Sequence, residues 1–121
     1  MNIHVNNIKD KAKLINQLNS LKIFAQMNEY YFKLVKLKRK NILHTHPDTD
    51  EVFIGIEGHF QIELRDQILN LGPGNMVIIP KGIEHRSIAI EESCIMLIEP
   101  KGSVNRGNIE SELTERNLKW I

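Results

Sequence analysis

The stretch HTHPDTDE, residues 44–51, sets His44 and His46 one residue apart and closes on the acidic pair Asp50 and Glu51. Groups of this kind can hold a metal ion, act as a histidine–carboxylate dyad, or form a polar loop between strands. On an extended segment both imidazoles project from one face, about 6–7 Å apart along the chain, so they can share an ion if other ligands come from elsewhere. Pro47 and Asp48 mark a turn that lets the chain double back. Asp50 and Glu51 face opposite sides of an extended backbone, and Glu51 opens the apolar run VFIGI, which makes it the one held against the core. A dyad needs a nucleophile nearby, and none is evident. Downstream, GNMVIIPKGIEH, residues 74–85, uses Pro80 and Gly82 to build a tight turn that delivers a third imidazole, His85, to the start of the next strand.

These groups need a scaffold, and the apolar pattern supplies one. Asn7 caps a helix, with Asp10 in a capping-box-like relation. Ile8, Ala12 and Ile15, and Leu14, Leu18 and Leu21, recur at helical spacing, which predicts an amphipathic helix over 8–20 that covers a flank of the core. After residue 20 the period changes. KIFAQM (22–27) and YYFKLVKLK (30–38) flank the turn at Asn28–Glu29, and further strands are predicted over 41–46, 51–57, 59–65, 67–71, 76–79, 84–90 and 94–98. Many short strands at close spacing imply an all-β antiparallel sandwich or barrel. A chain of 121 residues suits one compact domain. The stretch 101–121 is polar with apolar anchors at Val104, Ile109, Leu113, Leu118, Trp120 and Ile121, which pin it to the barrel or to a second subunit.

With both histidine blocks in view, the sequence resembles the cupin superfamily. The first cupin motif, G-x5-H-x-H-x3-4-E-x6-G, is matched at His44, His46, Glu51 and Gly58; the second, G-x5-P-x-G-x2-H-x3-N, at Gly74, Pro80, Gly82 and His85. Lys38 stands where the first glycine is expected and Ala89 where the final asparagine is expected; neither position is a metal ligand in the family. The chain is similar almost throughout to small cupin-2 conserved-barrel proteins, often labelled mannose-6-phosphate isomerase-like, a label that reports likeness of fold more than of reaction. The resemblance implies a double-stranded β-helix, or jelly-roll barrel, with a short N-terminal helix. It also implies that His44, His46, Glu51 and His85 converge on one divalent transition metal ion, with Zn, Fe, Mn, Ni, Co and Cu all suited to the donors. A carboxylate among imidazoles in an apolar barrel is costly to bury unpaired, and a cation removes that cost.

The same resemblance implies a small-molecule ligand or substrate in the barrel, a homodimer, and one of three roles. These are a metal-dependent enzyme of dioxygenase, isomerase or lyase type, a small-ligand sensor or storage module, or a metal-stabilised interaction barrel. A net charge of +1 provides no field for nucleic acid or an anionic membrane, and the basic run KLKRK at 36–40 reads as a solvated strand end. No run is long enough to span a membrane or act as a signal peptide, and the single cysteine, Cys94, lies in an apolar run as a core thiol; a cytoplasmic location is expected. His59 and Glu84 are expected to face out, Lys33 to be exposed rather than to reach into the cup toward an anionic substrate, and Met76 and Met96 to fill strand packing. Phe53 shares the face of Glu51, where it lines the pocket or packs the core.

Overall fold

Alternating apolar and polar residues build two sheets whose inner faces share a core. The computed structural model describes residues 2–102 and 118–121. In chain order the elements are α1 (Ile8–Lys13), β1 (Lys22–Met27), β2 (Tyr30–Leu37), β3 (Glu51–Glu57), β4 (Phe60–Glu63), β5 (Ile68–Leu71), β6 (Met76–Ile79), β7 (Arg86–Ile88), β8 (Ser93–Pro100) and β9 (Lys119–Trp120). A six-stranded sheet runs β6-β3-β8-β2-β1-β9 and a three-stranded sheet runs β5-β4-β7. Pairing is antiparallel except for the short parallel contact of β9 with β1. The all-β antiparallel architecture is the one the strand pattern predicts, and the jelly-roll is the fold that the cupin resemblance implies.

Strands β2 and β8 are buried on both faces, which is why each reads as a nearly unbroken apolar run. Val35, Phe53, Ile95 and Leu97 of the large sheet meet Phe60, Ile62 and Leu71 of the small one. Leu34, Cys94 and Met96 point the other way, where Ala12 and Ile15 cover them. A register shift between Ile23 and Ala25 leaves Phe24 without a cross-strand partner, and this bulge delivers the ring to the helix side. Each of these buried apolar side chains contributes roughly 1.5–3 kcal/mol.

Several expectations need correcting. The helix ends at Lys13, not near residue 20. Asn7 caps it as expected, accepting from the Asp10 N–H, but i→i+3 bonds from Leu14 and Ile15 close the last turn, and Asn19 enters the left-handed region at φ 62°. Residues 41–46 form no continuous strand; one isolated bridge, His44 with His85, ties them to the segment before β7, and a second, Lys40 with Ile88, lies just ahead of them. Lys33 is not exposed but 1% accessible, because the period that turns Val35 and Leu37 inward turns Lys33 inward too. Met76 is 58% exposed on the edge strand β6, whereas Met96 fills the packing under α1. Of the C-terminal anchors, Val104, Ile109 and Leu113 lie outside the described residues. Trp120 remains half-exposed and stacks edge-on against Tyr31 at 5.6 Å. His59 and Glu84 face solvent and Cys94 is buried, as expected.

Candidate metal centre

The backbone brings the two histidine blocks together. His44 and His85 exchange N–H···O=C bonds of 3.0 and 2.9 Å, so their imidazoles stand side by side with centroids 4.6 Å apart. Pro80 to Ile83 form the tight turn expected from the sequence, with Gly82 at φ +83° and its N–H donating to the His46 carbonyl at 2.9 Å. The Asp50 carboxylate accepts from Lys81 N at 2.9 Å and ties the loop before β3 to that turn. Glu51 then opens β3 opposite Ile79. A second glycine, Gly55, has no motif to announce it. A Cβ there would lie 2.1 Å from the Gly72 carbonyl oxygen, so only glycine allows the close approach of these two segments.

All four expected residues, His44, His46, Glu51 and His85, are buried, and their donor atoms lie within 4.8 Å of one another. His44 Nδ1 is 2.7 Å from the Ile42 carbonyl and His85 Nδ1 is 2.8 Å from that of Ile83. A carbonyl only accepts, so each Nδ1 carries the proton and each Nε2 is aimed at the centre. Burial, opposed by the Ile42 bond and reinforced by the other two imidazoles, pushes His44 down to about 4, so this ring is neutral near pH 7 with a lone pair on Nε2. His85 Nε2 lies 2.9 Å from Glu51 Oε1. Burial works to lower His85, but the bond and charge of Glu51 outweigh it and raise this histidine. For Glu51, burial works upward and the contacts from His46 and His85 prevail, holding the carboxyl well below the usual range.

Among the described residues two buried side-chain atoms lack a hydrogen-bond partner, His46 Nε2 in the cluster and Glu99 Oε2 beside it. His46 Nε2 is buried, makes no hydrogen bond, and sits 3.4 Å from Glu51 Oε2, too far for a good one. An unsatisfied buried nitrogen costs about 1–3 kcal/mol. A divalent cation among the four residues would satisfy it, and three imidazoles with one carboxylate are a donor set that suits first-row transition ions. The residues present therefore fit a metal ion.

Two features went unseen in the sequence. Lys33 Nζ pairs with Glu99 Oε1 at 2.9 Å inside the barrel. Burial first, and then the charge of Glu51, push the Glu99 carboxyl well above its ordinary value, while Lys33 opposes them. Their positions were legible: Lys33 alternates with Val35, and Glu99 with Leu97. The second feature is a narrow cleft that reaches His44 and Glu51, with an inner free volume of about 40 Å³. Phe53 lines it and also sits edge-on to the His85 ring at 5.9 Å, so it fills both roles expected of it. Arg39 of the basic run borders the same cleft rather than open solvent alone.

The model of the cupin domain family (Cupin_2) matches residues 33–99, which contain the whole cluster. The chain belongs to the cupin family. A cupin-2 domain containing protein from Shewanella frigidimarina NCIMB 400 is similar to this cupin at 52% identity and a TM-score of 0.77, covering 79% of this chain and 94% of that one. The uncharacterized protein YdbB of Bacillus subtilis (strain 168) is 30% identical over 78 residues, 64% of this cupin and 69% of YdbB. KdgF from Halomonas sp. is 27% identical with a TM-score of 0.58, over 66% of this chain and 78% of its own.

Proposed function

We propose that this cupin is a metal-dependent enzyme acting on a small molecule, with one divalent transition ion held by His44, His46, Glu51 and His85. The observation that carries this reading is the buried cluster itself, in which His46 Nε2 has no partner and the other nitrogens are aimed inward by backbone carbonyls. On a five- or six-coordinate ion, four protein donors would leave positions open for a substrate, and such an ion could polarise a carbonyl, acidify water or bind dioxygen.

The protein's own groups prepare the site. The Ile42 and Ile83 carbonyls fix the tautomers and planes of His44 and His85, the role that hydrogen-bonded outer partners play around ligating histidines. Phe53 and the apolar walls keep bulk water from the inner end of the cleft, which strengthens electrostatic interactions there. Reaction types that suit this arrangement are dioxygenation, isomerisation and lyase chemistry.

The test is to load chelator-treated protein with each candidate ion and screen small oxygenated substrates for turnover. Turnover that depends on one ion and disappears in His46→Ala supports an enzyme. Ligand-dependent stabilisation without turnover under any loading would instead make it a binding protein; about 2.7 kcal/mol is expected at a hundredfold excess over Kd.

A further inference from the structure

The inner face of the large sheet carries charged groups as well as apolar side chains. In the β3–β8 register Phe53 faces Leu97 and Val52 faces Ile98, so one step further sets Glu51 opposite Glu99 on the inward side. In the β2–β8 register Lys33 faces Leu97, which places it beside Glu99 on that same side. Glu51, Glu99 and Lys33 therefore form a row across three neighbouring strands, β3, β8 and β2, and all three are buried.

The row is linked from end to end. Lys33 Nζ donates to Glu99 Oε1 at 2.9 Å. The Glu99 and Glu51 side chains interact directly, although Glu99 Oε2 makes no hydrogen bond of good geometry. Glu51 in turn spans two of the histidines, with Oε1 2.9 Å from His85 Nε2 and Oε2 3.4 Å from His46 Nε2. On its other side Glu51 faces Ile79, whose side chain is apolar. Of its two cross-strand neighbours, Glu99 alone can support the carboxylate. A buried lysine–glutamate pair gives a fold little that apolar side chains of similar volume would not. It does matter to a neighbouring ligand: glutamate is long and rich in rotamers, and a ligating carboxylate is held by the groups behind it.

We propose that Glu99, fixed by Lys33, is a positioning residue for Glu51 and keeps its carboxylate turned toward the histidines. Lys33 supplies the anchor and Glu99 the contact, and neither is a ligand. The proposal rests on the ligand set given under the proposed function.

Three variants separate positioning from stability. Lys33→Met/Glu99→Met exchanges the pair for apolar side chains of similar volume, removes one charge of each sign and should fold. Glu99→Gln keeps an acceptor for Lys33 and an amide beside Glu51. Zinc affinity, from chelator competition, should fall about ten- to a hundredfold in the double variant and stay within about threefold of wild type in Glu99→Gln. Lys33→Met alone should also weaken zinc binding, whereas losing a nearby positive charge would by itself strengthen it. In crystals of metal-free protein, Glu51 should keep its contacts with His46 and His85 in wild type and Glu99→Gln, and leave them in the double variant. A double variant that binds zinc as tightly as wild type, or in which Glu51 keeps its place, would overturn the proposal. So would zinc binding by Lys33→Met that is unchanged or tighter, or a loss in Glu99→Gln as large as that of the double variant. If zinc binds to none of these proteins, the metal reading fails, and the place of Glu51 in the metal-free crystals still decides the role of Glu99.

Discussion

Replacing Lys33 with methionine removes the cation from a buried pair while keeping most of its volume. The lysine and glutamate side chains are 1% and 0% accessible and 2.9 Å apart, so solvent screens them little. Leaving one member of such a pair buried alone costs about 3–5 kcal/mol. Glu99 can moderate this by taking a proton, since burial and Glu51 already push its carboxyl upward. The expected loss at pH 7 is therefore about 3 kcal/mol, a large share of the roughly 5–15 kcal/mol that stabilises a domain. The pH dependence has a definite sign. A carboxyl whose value is raised in the folded state holds a proton that the unfolded chain releases above about 4.5, so stability falls as pH rises. Without Lys33 that fall steepens, and the gap between variant and wild type should be smaller at pH 5 than at pH 8. Urea unfolding of metal-free protein measures both quantities; with m of about 1–3 kcal/mol/M, the midpoint moves by roughly 1–3 M. Lys33→Met/Glu99→Gln should recover most of the loss. A gap below about 1 kcal/mol at pH 8, or one that is equal at both pH values, would refute the reasoning.

Other outcomes follow from the same geometry. Burial lowers His44 from 6.5 to about 4, so the unfolded chain takes up a proton that the folded chain refuses as pH falls below 6.5. The stability advantage of wild type over His44→Gln should therefore shrink by about 3 kcal/mol between pH 7 and pH 4, read from urea midpoints of metal-free protein. Glu51 raises His85, and ligation requires its Nε2 to be free of a proton, so zinc uptake should release more protons as pH falls, visible as a buffer-dependent calorimetric enthalpy that is reduced in His85→Gln. Gly55→Ala should destabilise by at least about 1–3 kcal/mol, because its Cβ meets backbone that no rotamer can clear; an unchanged melting temperature would contradict this.

All four members of the cluster were legible in the sequence, because they sit at motif positions of the cupin resemblance that the backbone constrains strongly. His44 and His46 sit two residues apart just before the turn at Pro47, Glu51 opens an apolar strand, and Pro80 with Gly82 leaves few paths for the chain before His85. The strand menu was legible for the same reason, from short apolar runs between turn residues. Other features depend on contacts between distant segments. The end of α1 was misjudged because Leu14 and Leu18 continue a helical period that the turn at Asn19 interrupts. Lys33 was misplaced because a lysine was weighed by its type rather than by its parity with Val35, and its partner Glu99 lies 66 residues away. Gly55 and Gly72 meet only once the sheets are folded, and Arg39 looked like part of a charged strand end until the 19–21 segment closed one side of the cleft.

Anomalous diffraction from crystals of the loaded protein, collected at the absorption edge of the added metal, shows most directly where an ion binds. One peak per chain is expected, enclosed by His44, His46, Glu51 and His85, and absent from crystals of His46→Ala. No peak with any of the candidate ions, or a peak away from these four side chains, would contradict this.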